Sequence, residues 1–171
     1  MRLDPLFLLF LLGAGQAQAQ PRPHPADVAT IDGLMKAYYE VVSGPAGQPR
    51  QWARDSSLHH PKAQIAIVRT VGDRPQVQVM ALGDFHRESA GLAETGFFEY
   101  EIHREVAQFG TTAHVWSTYE WRTEAGGPVG GRGINSIQLF HDGTRWWILG
   151  WMFDGRSDAG PVPTRYLPSN E

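Results

Sequence analysis

The chain contains no cysteine. This excludes a disulfide framework and a lipid anchor on a lipobox cysteine. Charge bias is slight: 15 Lys and Arg stand against 18 Asp and Glu, a formal net charge of −3. No run of Lys or Arg occurs, so the electrostatic footprint of a nucleic-acid-binding surface is missing. The seven histidines are scattered, with only His59 and His60 adjacent. Neither an HxH nor an HxxxH spacing occurs, so no metal site is expected. No cofactor is expected either. Long apolar runs are missing too. The run Leu6–Leu12 is far shorter than the roughly 20 residues that span a bilayer.

That short run has a different meaning. Arg2 is a minimal positive n-region, LFLLFLL an apolar h-region, and Ala17-Gln18-Ala19 a small-x-small cleavage site. Residues 1–19 are expected to be a signal peptide, with the mature chain starting at Gln20. The protein is then secreted or periplasmic, with no membrane association after cleavage. An exported domain without disulfides must rest on its core alone.

The remainder suits one domain. Residues 20–26 (QPRPHPA) read as a disordered, proline-rich linker, 27–156 as the domain, and 157–171 as an irregular tail. Asp27 is placed to cap a helix ending near Ser43, with Val28, Ile31, Met35, Tyr38 and Val42 on one stripe. Arg50–Ser57 reads as a short helix. Ala63–Thr70 and the segment around Val77 and Val79 read as strands, and Asp84–Leu92 as a third helix.

From Phe97 to Asp154 the chain reads as four antiparallel strands holding most of the six tryptophans. With a tight turn at Phe109-Gly110, Phe98, Tyr100, Ile102, Arg104 and Val106 share a face with Trp121, Tyr119, Ser117, Val115 and Ala113. That apolar face is expected to meet the helices. Glu99, Glu101, His103 and Glu105, with His114 and Trp116, are expected on the outer face. Asn135, Ile137 and Leu139 share a face of the third strand. Trp147, Leu149, Trp151 and Phe153 share a face of the fourth. Asp142-Gly143 marks the turn between them.

Helices first, then FGTTAHVWSTYEWR, GINSIQLF and RWWILGWMFD: this order and these segments resemble the nuclear transport factor 2-like superfamily, on its SnoaL-like side. The resemblance covers residues 27 to 156. It implies an α+β roll, a strongly curved mixed sheet wrapped around an N-terminal helix layer, with a conical pocket between them. Members include polyketide cyclases, ketosteroid isomerase, dehydratases and domains that only bind, so the fold leaves function open.

Ketosteroid isomerase chemistry needs a tyrosine and a protonated acid as oxyanion donors, plus a carboxylate base. Tyr38 and Tyr39 fall where the resemblance implies the tyrosine. No acid is found on the inner face of a long strand, and Asp55 sits beside the short helix, outside the strand expected to carry the base. By position His59 and His60 are the nearest counterparts of a cyclase acid–base residue, with Tyr38 beside them. The simpler reading is two partly exposed loop histidines before Pro61, since no partner carboxylate can be placed.

The expected ligand contacts are the polar positions Arg104, Ser117, Tyr119 and Asn135, with Tyr38, Tyr100, Phe98, Trp151 and Phe153 as walls. Arg104 either meets an internal acid or serves a ligand anion. The leading functional expectation is an exported domain that binds a small, partly apolar and possibly acidic molecule without strong catalysis. The alternatives are a lyase, isomerase or cyclase, and a structural homodimer joined through the outer face around Trp116.

Overall fold

Helices come first in the structure as well. The computed structural model describes residues 20–156 and 159–169; the signal peptide expected at residues 1–19 lies outside them. The helix expected from Asp27 is two helices, α1 (Pro25–Val28) and α2 (Ile31–Val42). The chain breaks between them because Thr30 is extended and its hydroxyl accepts the Gly33 N–H at 3.0 Å, an N-cap. Asp27 is thereby released from capping and pairs with Arg54 at 2.8 Å. The inner stripe of α2 buries Leu34, Met35, Tyr38, Tyr39 and Val42 among others.

α3 (Trp52–Leu58) runs directly into β1 (His59–Val71), so His59 and His60 begin a strand and are not in a loop. β2 (Arg74–Ala81), α4 (Leu82–Glu88), α5 (Leu92–Thr95), β3 (Phe98–Phe109), β4 (Thr112–Arg122), β5 (Gly131–His141) and β6 (Trp146–Asp154) follow. The expected third helix is thus two short ones separated by a turn. One unclosed sheet results, in the order β2-β1-β6-β5-β4-β3, antiparallel throughout except for the parallel pair β1–β6. Its concave face carries Ile65, Ile67, Val115, Ile137, Leu139 and Ile148, all nearly inaccessible, and these pack against α2 and α3.

Two bulges decide which side chains reach that face. In β3, Glu101 pairs with Tyr119 but His103 pairs with Thr118, leaving Ile102 as an extra residue. Arg104 and Val106 therefore face inward as expected. N-terminal to the bulge the alternation is reversed: Glu99 and Glu101 point in, while Phe98 and Tyr100 point out. Tyr100 is 38% exposed and donates to the Ala125 carbonyl. In β6, Leu139 pairs with Ile148 and Gln138 with Gly150, so Leu149 is the extra residue. Trp146, Ile148, Trp151 and Phe153 then form the inner set, and Trp147 and Leu149 leave the face the sequence assigned to them. Trp116 is on the outer face as expected. It is partly covered by Tyr166 from the short turn at Thr164–Tyr166, with ring centroids 5.9 Å apart.

Candidate functional site

Between α2, α3, α4 and the sheet lies a cavity of about 430 Å³. Val42, Ile67, Phe85, Leu92, Phe97, Trp151 and Phe153 make its apolar walls. Arg69 and Glu88, about half exposed and 3.7 Å apart, stand at its edge. Tyr38, Asp55, Glu99, Tyr119 and Asn135 bring polar groups to it.

At Asp55 every polar atom is used. Asp55 and His59 are four residues apart across the end of α3, which places them side by side. His59 Nδ1 lies 3.3 Å from Asp55 Oδ1 and 3.0 Å from the Asp55 carbonyl. The other oxygen, Oδ2, is 2.6 Å from His86 Nε2, and that ring stacks on Trp52 with centroids 4.6 Å apart. Burial opposes the Asp55 charge, but the two imidazoles outweigh it and hold its pKa at about 2. His59 Nε2 accepts from the Trp151 indole at 3.1 Å. An indole N–H only donates, so His59 is neutral with its proton on Nδ1. Burial disfavours its charged form and Asp55 favours it, with a net upward push on its pKa. Charging it would set two N–H groups against each other, so protonation costs the Trp151 bond. Both nitrogens of His59 are engaged, and the ring braces a cavity wall.

Glu99 is the opposite case. The bulge at Ile102 turns its side chain into the cavity, where the carboxyl has no hydrogen-bond partner among the described residues. Burial, with nothing to oppose it, pushes its pKa up to about 8. The carboxyl keeps access to the cavity but is surrounded by protein in place of bulk water. At neutral pH it is a carboxylic acid, a donor. The hydroxyls of Tyr38 and Tyr119 also lack protein partners among the described residues and line the same space. Burial holds Tyr38 well above the usual range, reinforced by Tyr39, Glu99 and Asp55. Burial, then Glu99, raises Tyr119. Both stay protonated donors. Gly133 pairs with Tyr119 across β4 and β5, and a Cβ there would fall 2.4 Å from the Tyr119 hydroxyl. The missing side chain makes room for that hydroxyl.

Of the sequence-predicted ligand contacts, Tyr38, Tyr119, Asn135, Trp151 and Phe153 line the cavity, whereas Phe98, Tyr100, Arg104 and Ser117 do not. Arg104 is held by acids: its Nε lies 3.1 Å from Glu101, and Nη1 lies 3.0 Å from Asp32 in an ion pair without hydrogen-bond alignment. Of the weak catalytic candidates, His59 is buried beside the carboxylate the sequence reading could not place. His60 is outside the cavity, edge-on to Trp147. Glu99 and His86 were missed, and Asp55 was noted but not connected to His59. The four-residue spacing of Asp55 and His59 was a usable signal, whereas no local sequence signal marks the bulge that turns Glu99 inward.

No family model matches the chain, and no curated protein matches it. Solved structures do. The β subunit assigned to an aromatic-ring-hydroxylating dioxygenase of Novosphingobium aromaticivorans has a TM-score of 0.56 at 10% identity, over 81% of this chain and 94% of its own. A protein of the same organism assigned as a scytalone dehydratase has a TM-score of 0.51 at 11% identity, over 73% and 80%. A nuclear transport factor 2-like protein of unknown function from Shewanella baltica has a TM-score of 0.50 at 11% identity, over 72% and 88%. The fold is the nuclear transport factor 2-like fold. Within the nuclear transport factor 2-like roll, the cavity described above is the cone between helices and sheet.

Proposed function

We propose that the protein binds a small, largely apolar and uncharged molecule in the cone, with a carbonyl-type oxygen of that molecule held by Glu99, Tyr38 and Tyr119. One observation carries this reading: three groups able to donate, none with a protein partner among the described residues, line one apolar cavity. Polar groups left unpaired in such surroundings are costly, and an accepting oxygen relieves that cost. An acidic ligand fits poorly, because Arg104 is paired with Glu101 and Asp32 and lies outside the cavity. Acetophenone is a suitable probe, with binding measured by calorimetry between pH 6 and 9.5. Affinity should fall as pH rises through about 8, where Glu99 changes from donor to acceptor. Glu99→Gln, which keeps a donor, should bind independently of pH. Wild-type affinity that is flat or rising across that range would overturn the reading.

A second reading is acid–base catalysis on such a carbonyl compound. A carboxyl titrating near 8 can take up and return a proton close to neutral pH, which is what a general acid–base group needs. The fold accommodates this, since one of its structural neighbours is assigned as a dehydratase. The check is exchange of the α-protons of acetophenone in D2O, followed by NMR; exchange unaffected by Glu99→Gln would exclude Glu99 from that role.

Export and pairing complete the proposal. The protein acts after cleavage at Ala19, which N-terminal sequencing of exported material tests, and an intact Met1 would refute it. It forms a homodimer over the outer sheet face. Because Trp116 packs with Tyr166 there, the interface includes the C-terminal turn. A monomer by sedimentation at high micromolar concentration would remove this part.

A further inference from the structure

The cavity presents donors at Glu99, Tyr38 and Tyr119. Asn135 is different, and a buried hydrogen-bond chain behind it fixes how. Asn135 Nδ2 lies 3.3 Å from the Tyr39 hydroxyl, that hydroxyl lies 2.7 Å from Ser117 Oγ, and Ser117 Oγ lies 2.5 Å from Glu101 Oε1. Glu101 is in turn anchored by Arg104 at 3.1 Å.

Each hydroxyl has a single proton, so the polarity of the chain can be worked out from its far end. Burial pushes the Glu101 pKa up against the pull of Ser117 and Arg104; paired with the always-charged Arg104 through Oε2, Glu101 accepts at Oε1, so Ser117 donates to it. The Ser117 oxygen is then left to accept, and Tyr39 donates to it. The Tyr39 oxygen in turn accepts, and its partner on Asn135 must be the NH2 group. Amide orientation, which coordinates alone leave ambiguous, is set here by the carboxylate at the end of the chain. Asn135 is 3% exposed yet lines the cavity, and its Oδ1 has no protein partner among the described residues and is not sealed from the cavity. The amide therefore turns a carbonyl oxygen toward a bound molecule.

We infer that Asn135 is a specificity-determining residue whose Oδ1 accepts from a hydroxyl of the ligand, so that the cone selects hydroxy-substituted carbonyl compounds over the parent carbonyl compound. This rests on the carbonyl-binding reading above and adds a second, opposite-polarity contact to it. Ser117 acts through Tyr39 and is a positioning residue.

The experiment compares acetophenone with 2-, 3- and 4-hydroxyacetophenone by calorimetry at pH 7 on the wild-type protein. All three isomers are included because they vary the separation between the carbonyl and the hydroxyl. At least one isomer should bind about 3- to 10-fold tighter than acetophenone, the worth of one hydrogen bond. Asn135→Ala should bring that isomer to within about twofold of acetophenone, both measured on the same variant. Ser117→Ala, outside the cavity, should also reduce the preference because the amide is no longer held in one orientation. If acetophenone binds the wild type and no isomer binds tighter, the inference is overturned and the carbonyl reading stands; this comparison needs no variant. A preference that survives in Asn135→Ala overturns it as well. Full preference in Ser117→Ala removes the relay as the orienting device. If neither acetophenone nor any isomer binds, the carbonyl reading fails and the inference falls with it.

Discussion

Two carboxyl groups line the same cavity and are treated in opposite ways. Asp55 has one imidazole on each oxygen and a pKa held at about 2. Glu99 has no partner among the described residues and a pKa near 8. Burial acts on both, so burial alone does not tell them apart. What differs is the local supply of donors. Around Asp55 the helix-to-strand junction delivers His59 and α4 delivers His86. Around Glu99 no side chain among the described residues comes within hydrogen-bond reach of the carboxyl. A buried acid whose needs are met holds its surroundings together. A buried acid whose needs are unmet costs stability, and such a cost persists where something outside the chain relieves it.

The sharpest way to break this contrast is to make Asp55 resemble Glu99. His59→Leu leaves Asp55 with His86 alone and the Trp151 indole without an acceptor. A loss of about 3–5 kcal/mol in urea unfolding is expected, with the Asp55 pKa rising; a loss under about 1 kcal/mol would mean the Asp55 corner is not the brace described. The converse change acts on Glu99. Its folded pKa of about 8 lies above the ordinary 4.5, so its contribution to stability is intact below pH 4.5 and is lost as pH rises through 8. Glu99→Gln removes that loss. The variant should match the wild type at pH 4 and exceed it by about 2–4 kcal/mol at pH 9, less than the full shift would give because the carboxyl keeps access to cavity water. Equal stability at pH 9 would show that Glu99 is not strained. The smallest effect belongs to Arg104, which is 23% exposed and pairs with Glu101 outside the cavity. Arg104→Met should cost about 1–2 kcal/mol by stranding Glu101, and acetophenone affinity should stay within about twofold.

Architecture was legible in the sequence because β4 and β5 alternate cleanly: Val115, Ser117 and Tyr119 on one strand and Asn135 and Ile137 on the next point inward as the pattern says. The site was only half legible. Pattern reading sends polar residues outward, so Glu99 and Glu101 were assigned to solvent; a bulge in the backbone overrode the pattern. The same device in β6 moved Trp147 and Leu149 off the expected face. His59 was read as a loop residue because Pro61 follows it closely, and its partner Asp55 was seen but not connected. Arg104 was correctly placed on the inner face, but its partner Glu101 had been assigned to the other side.

The extra residue at Ile102 makes the chemistry of the cone a matter of counting as much as of composition. It is the one residue of that stretch left out of the ladder. Were Ile102 instead to take a paired position, every residue N-terminal to it would shift by one: Glu99 and Glu101 would turn out, Phe98 and Tyr100 would turn in, and an acid-bearing lumen would become an aromatic, neutral one with no substitution anywhere. A one-residue change of register is thus a larger functional step here than most point mutations. When related chains are compared across this strand, whether the residue at this position pairs or bulges will say more about what they hold than the identity of the residues on either side of it.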